Sequence, residues 1–518
     1  MQHAVSTAAG SRAIVARHGP KPRVLFIHPQ GNNWLPGEQD LTRFANIMPP
    51  VGVCSIAAFL ETRGLTTAII DAYALPRTTA EIVARAVAFA PDVVGFSVTT
   101  SSFPDANDIA TALRGARPDV PFVFGGVHVS ALREELLRRF PVIDYGVVGE
   151  GEQTMTELLE GGFAEPASVR GLVYREGALV RASAPRTDLL ELDSLPFPAY
   201  ERLEGFPGAY HLAIFNYGKA PGTSTVTSRG CPYSCSYCDR SVYQRSFRAN
   251  SATYIYEHMR YLKERFGMRH VTFYDDLFSY DRKRIVEFCE LLIAKPLRMT
   301  FACDVRVNHI DEELVRLLAR AGCYQVAFGI ESGDPEVLKR HRRDPRLDGV
   351  REVARVIRKA GIRTKGLFMM GLPGEDEPAI RRSLELALSL PLDEVNLAKF
   401  TPFPGAPLYA GIHEQGELTE DWRLMNCMNF VFVPKGLTRE RLEELYSEFI
   451  IRFFNQPRVW WGYIMMVWRS PASVLTFFRH APSFIAFGLG MWARTLWSRW
   501  RKKPVQGREP PALPSGEK

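Results

Sequence analysis

The sequence has no Asp or Glu between positions 449 and 508, although this stretch carries ten Lys or Arg residues. The whole chain of 518 residues has a net charge of +7, so the remainder is slightly acidic. A protein that binds nucleic acids along its surface spreads positive charge more widely. The charge pattern therefore predicts no nucleic-acid partner and confines the basic character to one carboxyl-terminal region.

The first twenty residues lack the apolar stretch and the small-residue cleavage site of a secretory signal. Eight cysteines are present, but only Cys231, Cys235 and Cys238 lie close together, which excludes a disulfide framework. Thiols in such a chain bind metal more often than they pair. We therefore expect a cytoplasmic protein with a metal site.

The length exceeds what one hydrophobic core usually serves, so two or three domains are expected. A Pro-rich segment at residues 195–198 marks the main boundary. We predict a disordered leader at residues 1–20 and an α/β domain with its linker at residues 21–194. A second α/β domain is expected at residues 195–437. A helical region at residues 438–503 and a disordered tail at residues 504–518 follow it.

Apolar runs in the first domain alternate between strand-like and helical patterns. The predicted helices cover residues 51–60, 79–89, 106–114 and 131–140, and the predicted strands cover residues 24–27, 67–71, 93–98, 121–124 and 145–148. This alternation indicates a doubly wound, Rossmann-like parallel sheet. Such sheets bind ligands at the carboxyl ends of their strands.

The second domain repeats the alternation with six predicted strands. They cover residues 225–228, 271–274, 300–304, 325–329, 365–370 and 394–400. Six parallel strands with intervening helices indicate a partial (β/α)6 barrel or a full TIM-type barrel. Its chemistry is expected on the loops that follow the strands.

A loop with three cysteines, Cys231, Cys235 and Cys238, follows the first of these strands. Three core thiols would not be spaced so densely in a polar loop rich in Gly and Pro. Structural zinc is the alternative, but it needs a fourth ligand, and no second Cys pair or His-x3-His pattern follows. Three thiolates on a four-iron cluster leave one iron open, which suits catalysis better than electron storage.

The CxxxCxxC spacing, with Tyr237 just before the last cysteine, resembles the radical S-adenosylmethionine (SAM) superfamily. The resemblance implies a 4Fe-4S cluster whose open iron binds the methionine part of SAM, so that an electron from the cluster releases a 5'-deoxyadenosyl radical. It also implies SAM contacts by Asp275 or Asp276, which would receive the amine, by Arg306 near the carboxylate and by Glu331 near the ribose. Solvated or ion-paired side chains at strand ends are the alternative for each.

A doubly wound domain before such a barrel resembles the cobalamin-dependent subgroup, and the likeness spans residues 23–408. Glycines at the strand ends let the backbone approach a bulky ligand, and Ser and Thr offer hydroxyl groups. A nucleotide-binding or vestigial sheet is the alternative. The candidate cobalamin-binding residues are Pro50, Ser97, Thr99, Gly125, Gly126, His128, Glu150 and Gly151.

The lower cobalt ligand is left open by the sequence. Many cobalamin domains carry Asp-x-His-x-x-Gly after the first strand, whereas residues 26–31 keep His28 and Gly31 without the Asp. A metal-bound His usually has a carboxylate partner. We therefore predict a structural or pocket role for His28 and no protein ligand on the cobalt.

Six of the eight Trp residues lie in the acid-free stretch, at positions 460, 461, 468, 492, 497 and 500. Its longest apolar runs, residues 459–468 and 481–492, are shorter than the roughly 20 residues of a bilayer span. Aromatic residues mixed with cations favour helices that lie at a membrane surface. We expect peripheral attachment to the inner face of the cell membrane. A helical cap that buries these tryptophans against the barrel is the alternative.

The resemblance implies a radical SAM enzyme, and we expect C-methylation of a hydrophobic lipid, isoprenoid or tetrapyrrole substrate. The deoxyadenosyl radical would abstract hydrogen, and methylcobalamin would supply the methyl group. A reductase or ferredoxin-type protein would donate the electron. Hopanoid methylases and the anaerobic cyclase of bacteriochlorophyll synthesis share this layout, so oxidative cyclisation stays open. A tRNA methylthiotransferase needs three further amino-terminal cysteines, and only Cys54 precedes the barrel. A non-enzymatic iron-sulfur or cobalamin carrier would not cleave SAM.

Overall fold

The computed structural model describes residues 21–31, 46–341, 347–469, 471, 474, 475 and 478. The predicted leader and tail, and the tryptophans at 492, 497 and 500, lie outside the described residues.

The first α/β unit is built on one seven-stranded sheet. Its strands are β1 (Arg23–His28), β2 (Thr66–Asp71), β3 (Val93–Ser97), β4 (Phe122–Gly125), β5 (Tyr145–Val147), β6 (Leu172–Glu176) and β7 (Leu179–Ala182). They are ordered β2-β1-β3-β4-β5-β6-β7, and the first five run parallel. This confirms the predicted doubly wound sheet. The antiparallel β6–β7 hairpin at its edge was not predicted.

Six α-helices cover both faces of this sheet. They are α1 (Val51–Thr62), α2 (Thr79–Phe89), α3 (Phe103–Ala116), α4 (Val127–Leu132), α5 (Glu134–Arg139) and α6 (Gly151–Glu160). Helix α2 begins where predicted because Thr78 and Glu81 form a reciprocal capping box. The single helix predicted at residues 131–140 is wrong, because Arg133 has a φ of +50° and separates α4 from α5.

The second α/β unit is built on six parallel strands. They are β8 (Gly222–Thr225), β11 (His270–Phe273), β12 (Thr300–Val305), β13 (Cys323–Glu331), β14 (Arg363–Met370) and β15 (Glu394–Lys399). Two short antiparallel pairs lie outside this sheet: β9 (Ser228–Arg229) pairs with β10 (Arg248–Ala249), and β16 (Gly416–Leu418) pairs with β17 (Phe432–Pro434). The order β15-β14-β13-β12-β11-β8 does not close, which confirms a partial barrel.

The sequence predicted the first barrel strand at residues 225–228, which is later in the chain than the structure has it. The strand ends at Thr225, and Val226 is exposed. The backbone N–H groups of Thr227 and Ser228 donate to the Asp275 carboxylate instead of pairing in the sheet. The Asp275 side chain therefore directs the backbone away from the sheet after Thr225.

Seven helices pack against the barrel strands and one more follows them. They are α7 (Ala252–Phe266), α8 (Arg282–Ala294), α9 (Glu312–Ala321), α10 (Pro335–His341), α11 (Leu347–Lys359), α12 (Glu377–Ser389), α13 (Arg439–Phe454) and α14 (Pro457–Arg469). Val459 and Met466 of α14 are buried, but Trp460, Trp461 and Trp468 are exposed. None of the helices among the described residues is both long enough and apolar enough to cross a lipid bilayer.

Candidate functional site

The cysteine loop starts beyond β9, at the carboxyl end of the barrel sheet. Gly230 has a φ of +87°, and a Cβ there would collide with the carbonyl oxygen of Ser246, so only glycine fits. Ser236 fixes the middle of the loop. Its Oγ lies 3.0 Å from Nδ1 of His341, and its N–H donates to the His341 carbonyl at 3.1 Å. The loop is therefore held before any ligand binds.

Three free thiols occupy this loop. Cys231 and Cys235 are half-buried and Cys238 is exposed as a residue. Burial, with the neighbouring charges of Cys235 and Asp276, raises the pKa of Cys238 to about 12. Within the described part of the chain, no three His, Cys, Asp or Glu side chains converge on one metal ion. A four-iron cluster does not need that convergence, because its three thiolates bind three different irons.

The two aspartates after β11 have different surroundings. Asp275 is buried and accepts hydrogen bonds from the backbone of Thr227 and from its hydroxyl, each at 2.5 Å. Asp276 accepts the N–H of Gly230 at 3.2 Å. Burial raises the pKa of both carboxyls, and the charge of Asp276 acts on the thiols of Cys231 and Cys238. Asp276 therefore faces the cysteine loop, whereas Asp275 supports the turn before it.

Arg306 follows β12 and lies against the cysteine loop. Its guanidinium carbon is 3.6 Å from the centre of the Tyr233 ring, and the Tyr233 hydroxyl is 2.8 Å from Nε2 of His309. Among the described residues, the Arg306 guanidinium forms no ion pair with a carboxylate, and its side-chain contact is with the Tyr233 ring. An Arg held over an aromatic ring without a carboxylate is ready to receive a ligand carboxylate.

The remaining candidates for SAM contacts are placed around the same strand ends. Glu331, the last residue of β13, has a φ of +66° beside a register shift that follows Gly329. Positive φ at a non-glycine residue is uncommon and clusters at functional sites. The Tyr237 side chain is partly buried and packs against a hydrophobic cluster that includes Leu372 and Phe400, which follow β14 and β15.

A cavity of about 250 Å³ opens at the carboxyl ends of the first sheet, between the strands and the first turns of α1 and α6. Five of the eight predicted cobalamin-binding residues line it, namely Ser97, Gly125, Gly126, Glu150 and Gly151. Gly126 has a φ of +100°, and a Cβ there would lie 2.5 Å from the Val98 carbonyl oxygen. A cavity of this size takes one aromatic ring system and not a whole macrocycle. It therefore fits the nucleotide base of cobalamin.

Three predicted cobalamin-binding residues do not line this cavity. Pro50 only precedes α1. Thr99 is exposed and forms a local hydrogen bond with Ser102 at 3.0 Å. His128 is fully buried against Phe103 and Trp422, and desolvation lowers its pKa to about 3. The His128 ring therefore packs in the core and does not line the cavity.

The barrel contributes residues to this cavity that were not predicted. Arg229, Val242 and Tyr243, from the segments on either side of the cysteine loop, line it together with Glu150 and Glu152. No local pattern in the sequence marks this contribution, since these residues precede and follow the cysteine motif without a motif of their own.

An ion-pair network joins the two units at this point. Arg229 donates to Glu152 at 2.6 Å and to Glu150 at 2.5 Å, and Arg248 also pairs with Glu150. The Arg229 and Glu152 side chains are 12% and 5% exposed. Burial alone would raise the pKa of Glu152, but the Arg229 charge and hydrogen bonds from Arg229 and Ser55 hold it below its ordinary value. The network therefore fixes the cavity beside the cysteine loop.

The interior of the barrel carries a polar row across neighbouring strands. Asp304, Lys365 and Glu394 occupy one register row, and Lys365 Nζ lies 2.8 Å from Glu394 Oε1. Burial raises the pKa of Asp304 to about 7, although the Lys365 charge opposes this.

Comparisons with known proteins agree with both sites. The B12 binding domain model matches residues 40–159, and the Radical SAM superfamily model matches residues 225–387. An uncharacterized methyltransferase of Pyrococcus horikoshii is 29% identical over 79% of this chain and 89% of its own. An anaerobic magnesium-protoporphyrin IX monomethyl ester cyclase of Rubrivivax gelatinosus is 26% identical over 84% of this chain and 78% of its own.

A solved structure shares the fold of both units. The radical S-adenosylmethionine methyltransferase TsrM of Kitasatospora setae, with cobalamin and a 4Fe-4S cluster bound, matches with a TM-score of 0.61 at 21% identity. The match covers 76% of this chain and 78% of that chain. A B12-binding domain is thus followed by a radical SAM domain, and the predicted cofactors, a 4Fe-4S cluster, SAM and cobalamin, are confirmed. The chain belongs to the cobalamin-dependent radical SAM enzymes.

Proposed function

We propose that this enzyme transfers a methyl group to an unactivated carbon of a hydrophobic substrate. One observation carries the proposal: residues on both sides of the cysteine loop, Arg229 and Tyr243, line the cavity of the first sheet. The two cofactor sites therefore adjoin each other. When bound, the cluster and SAM supply a hydrogen-abstracting 5'-deoxyadenosyl radical, and cobalamin supplies the methyl group.

The residues around the cysteine loop would bind and orient the cofactors. The thiolates of Cys231, Cys235 and Cys238 would hold the cluster. Asp276 would accept the SAM amine, because its carboxylate faces these thiols. Asp275, which we predicted as an alternative, would act only by holding the Thr227 turn.

Three further side chains would complete the SAM site. Arg306 would bind the SAM carboxylate, since its guanidinium has no carboxylate partner among the described residues. Glu331 would receive the ribose hydroxyls, because its carboxylate is an acceptor at the end of β13. Tyr237 would cover the cluster from the side of Leu372.

The cavity residues would hold the nucleotide end of cobalamin. Ser97 offers a hydroxyl, and Gly125, Gly126 and Gly151 leave room for a close approach of the backbone. Glu150 would act through Arg229 and Arg248 by keeping the barrel against this site. Pro50, Thr99 and His128 have no part in this assignment.

We propose a largely apolar substrate that reaches the enzyme at a membrane surface. The name of the Rubrivivax relative points to a tetrapyrrole ester, which is a large apolar molecule. Helix α14 supports the location, because Trp460, Trp461, Ile464 and Trp468 recur at helical spacing and are 53–78% exposed. These side chains form an apolar face opposite the one that packs on the barrel, as interfacial helices do.

Vesicle binding tests this location. We expect the protein to co-sediment with vesicles of phosphatidylcholine and phosphatidylglycerol, and less with phosphatidylcholine alone. Replacing Trp460, Trp461 and Trp468 together by Gln should weaken sedimentation at least tenfold. A matched control changes the exposed Tyr280 to Gln on the barrel. Failure of the wild type to co-sediment would contradict membrane attachment, and equal sedimentation of all three proteins would contradict the role of α14.

Oxidative ring closure is the second candidate, and the match to the Rubrivivax cyclase over 84% of this chain favours it. Both reactions start with hydrogen abstraction by the deoxyadenosyl radical. Mass spectrometry of the product separates them, because methylation adds a CH2 unit to the substrate, whereas ring closure removes hydrogen.

Anaerobic reconstitution with iron, sulfide and hydroxocobalamin tests the proposed chemistry. With SAM and a reductant, we expect 5'-deoxyadenosine from the wild type and at least a hundredfold less from Cys238→Ser. Cys427→Ser is the matched control, because Cys427 is a half-buried free thiol outside the loop. Absence of 5'-deoxyadenosine from protein with an intact cluster would overturn the proposal and favour a carrier.

A further inference from the structure

His28 and Asp71 form a partly buried polar pair at the carboxyl edge of the first sheet. They are the last residues of β1 and β2 and lie opposite each other in the register. The His28 Nδ1 atom is 2.8 Å from Asp71 Oδ1, and the Tyr210 hydroxyl donates to Asp71 Oδ2 at 2.9 Å. His28 therefore has a carboxylate partner, although residues 26–31 contain no acidic side chain. The carboxylate comes from the neighbouring strand, 43 residues away.

His28 lies on the side of the sheet that carries the cavity. Side chains alternate along a strand, so His28 shares a face with Phe26, which lines the cavity. His28 sits one pleat further toward the carboxyl edge. Strands β1 and β3 also flank the point where the strand order reverses, which is where such sheets bind ligands.

The pair leaves one imidazole nitrogen available. In the tautomer that donates from Nδ1 to Asp71, Nε2 carries a free lone pair. The His28 side chain is 22% exposed, and Nε2 has no hydrogen-bond partner among the described residues. Asp71 accepts from Nδ1 on one carboxylate oxygen and from the Tyr210 hydroxyl on the other, so the hydrogen bond to Asp71 keeps the proton on Nδ1.

We propose that Nε2 of His28 is the lower axial ligand of the cobalt, with Asp71 as the carboxylate that orients it. Metal-bound imidazoles almost always donate their other N–H to such a group. Asp71 takes the place of the Asp that is missing from Asp-x-His-x-x-Gly, and Tyr210 completes the hydrogen-bond chain. The assignment rests on cobalamin binding and concerns a residue before the matched segment 40–159.

Electron paramagnetic resonance of bound cob(II)alamin tests this ligand. We would produce the protein uniformly labelled with 15N, reconstitute it with unlabelled hydroxocobalamin and reduce the cobalt. A His ligand then splits each cobalt line into a doublet, because 15N has spin one half. The benzimidazole base of cobalamin, which carries 14N, gives a triplet, and a cobalt without a nitrogen ligand gives no splitting. We expect the doublet.

Variants identify the histidine. His28→Gln should lose the doublet, and His413→Gln, an exposed histidine paired with Glu420, should keep it. Asp71→Asn should at least halve the doublet's share of the signal, and an unchanged share would remove Asp71 from the proposal. A triplet, an unsplit line or a doublet that persists in His28→Gln overturns the assignment of His28.

The wild-type line shape needs no variant, so a triplet or an unsplit line decides the matter even if His28→Gln does not fold. The visible spectrum separates two failures. Stoichiometric cobalamin with no doublet rejects only the ligand, whereas protein without bound cobalamin rejects cobalamin binding itself.

Discussion

Replacing Arg229 by Met tests whether the ion-pair network holds the two cofactor sites together. Met has a similar length but no charge, so it leaves the Glu150 and Glu152 carboxylates without the Arg229 charge. Both carboxylates are at most 11% exposed, and the nearest charge that remains is Arg248 on Glu150. The variant therefore creates an unpaired, buried carboxylate at Glu152.

The expected loss follows from this burial. Removing one partner of a buried ion pair costs about 3–5 kcal/mol, because the remaining charge is desolvated without compensation. The exposed pair of Arg316 and Glu312 provides the matched control, with side chains that are 67% and 46% exposed. Arg316→Met should leave the free energy of unfolding nearly unchanged, because water screens an exposed pair along a helix. The loss in Arg229→Met should therefore be several times larger than the loss in Arg316→Met.

Urea denaturation at neutral pH measures both variants, from the shift of the unfolding midpoint and the slope m. Adding Glu152→Gln to Arg229→Met should recover most of the loss, because Glu152 is the carboxylate left unpaired, whereas Glu150 keeps its ion pair with Arg248. The pKa of Glu152 is lowered in the folded state, so the contribution of the pair is present above about pH 4.3 and is lost as the pH falls further. A loss below about 1 kcal/mol in Arg229→Met at neutral pH would refute the reasoning.

Four further substitutions have distinct expected results. Gly126→Ala should destabilise the fold by more than about 1 kcal/mol, because its φ is +100°. Gly125→Ala, whose nearest neighbour Val147 is 3.7 Å away, should leave stability within about 0.5 kcal/mol yet weaken hydroxocobalamin binding, as titration by visible absorption would show. The pKa of Asp304 is raised to about 7, so its carboxyl destabilises the fold increasingly as the pH rises toward 7. Asp304→Asn should therefore gain thermal stability over the wild type at about pH 8 and not at about pH 4, and equal gains at both would contradict the assignment. His341→Ala should halve the iron bound on reconstitution, because it frees the cysteine loop at Ser236, and full iron content would argue against this role.

Much of the fold could be predicted because local patterns of apolar and polar residues determine its strands and helices. Each of the first five strands was predicted to within one residue, since buried parallel strands are continuous apolar runs. The prediction was wrong where a distant side chain decides the backbone. Asp275 ends β8 at Thr225 by accepting the N–H groups of Thr227 and Ser228, which lie 48 and 47 residues away in the chain. No pattern within residues 222–228 encodes that interaction.

The candidate sites divide in the same way. Cys231, Cys235 and Cys238 form a local motif, so spacing alone identified them. His128 follows a conspicuous Gly-Gly pair, but its ring is buried against Trp422, almost 300 residues later in the chain. Sequence reasoning could not foresee that contact, because it depends on how the barrel's carboxyl-terminal segments pack on the first sheet.

Arg229 connects the cysteine loop to the cavity of the first sheet, so these two sites should be considered together. It precedes Cys231 by two residues, and its carboxylate partners Glu150 and Glu152 lie at the first turn of α6, whose Gly151 lines the cavity. A displacement of α6 away from the barrel would leave these charges buried without partners, which costs several kcal/mol. Under the proposed function, the radical chemistry at the cysteine loop and the cobalamin in the cavity would act on the same substrate carbon, so the two sites would need a fixed separation. We therefore interpret the buried network as a positional constraint that would hold the two cofactor sites together, in addition to the stability that it provides.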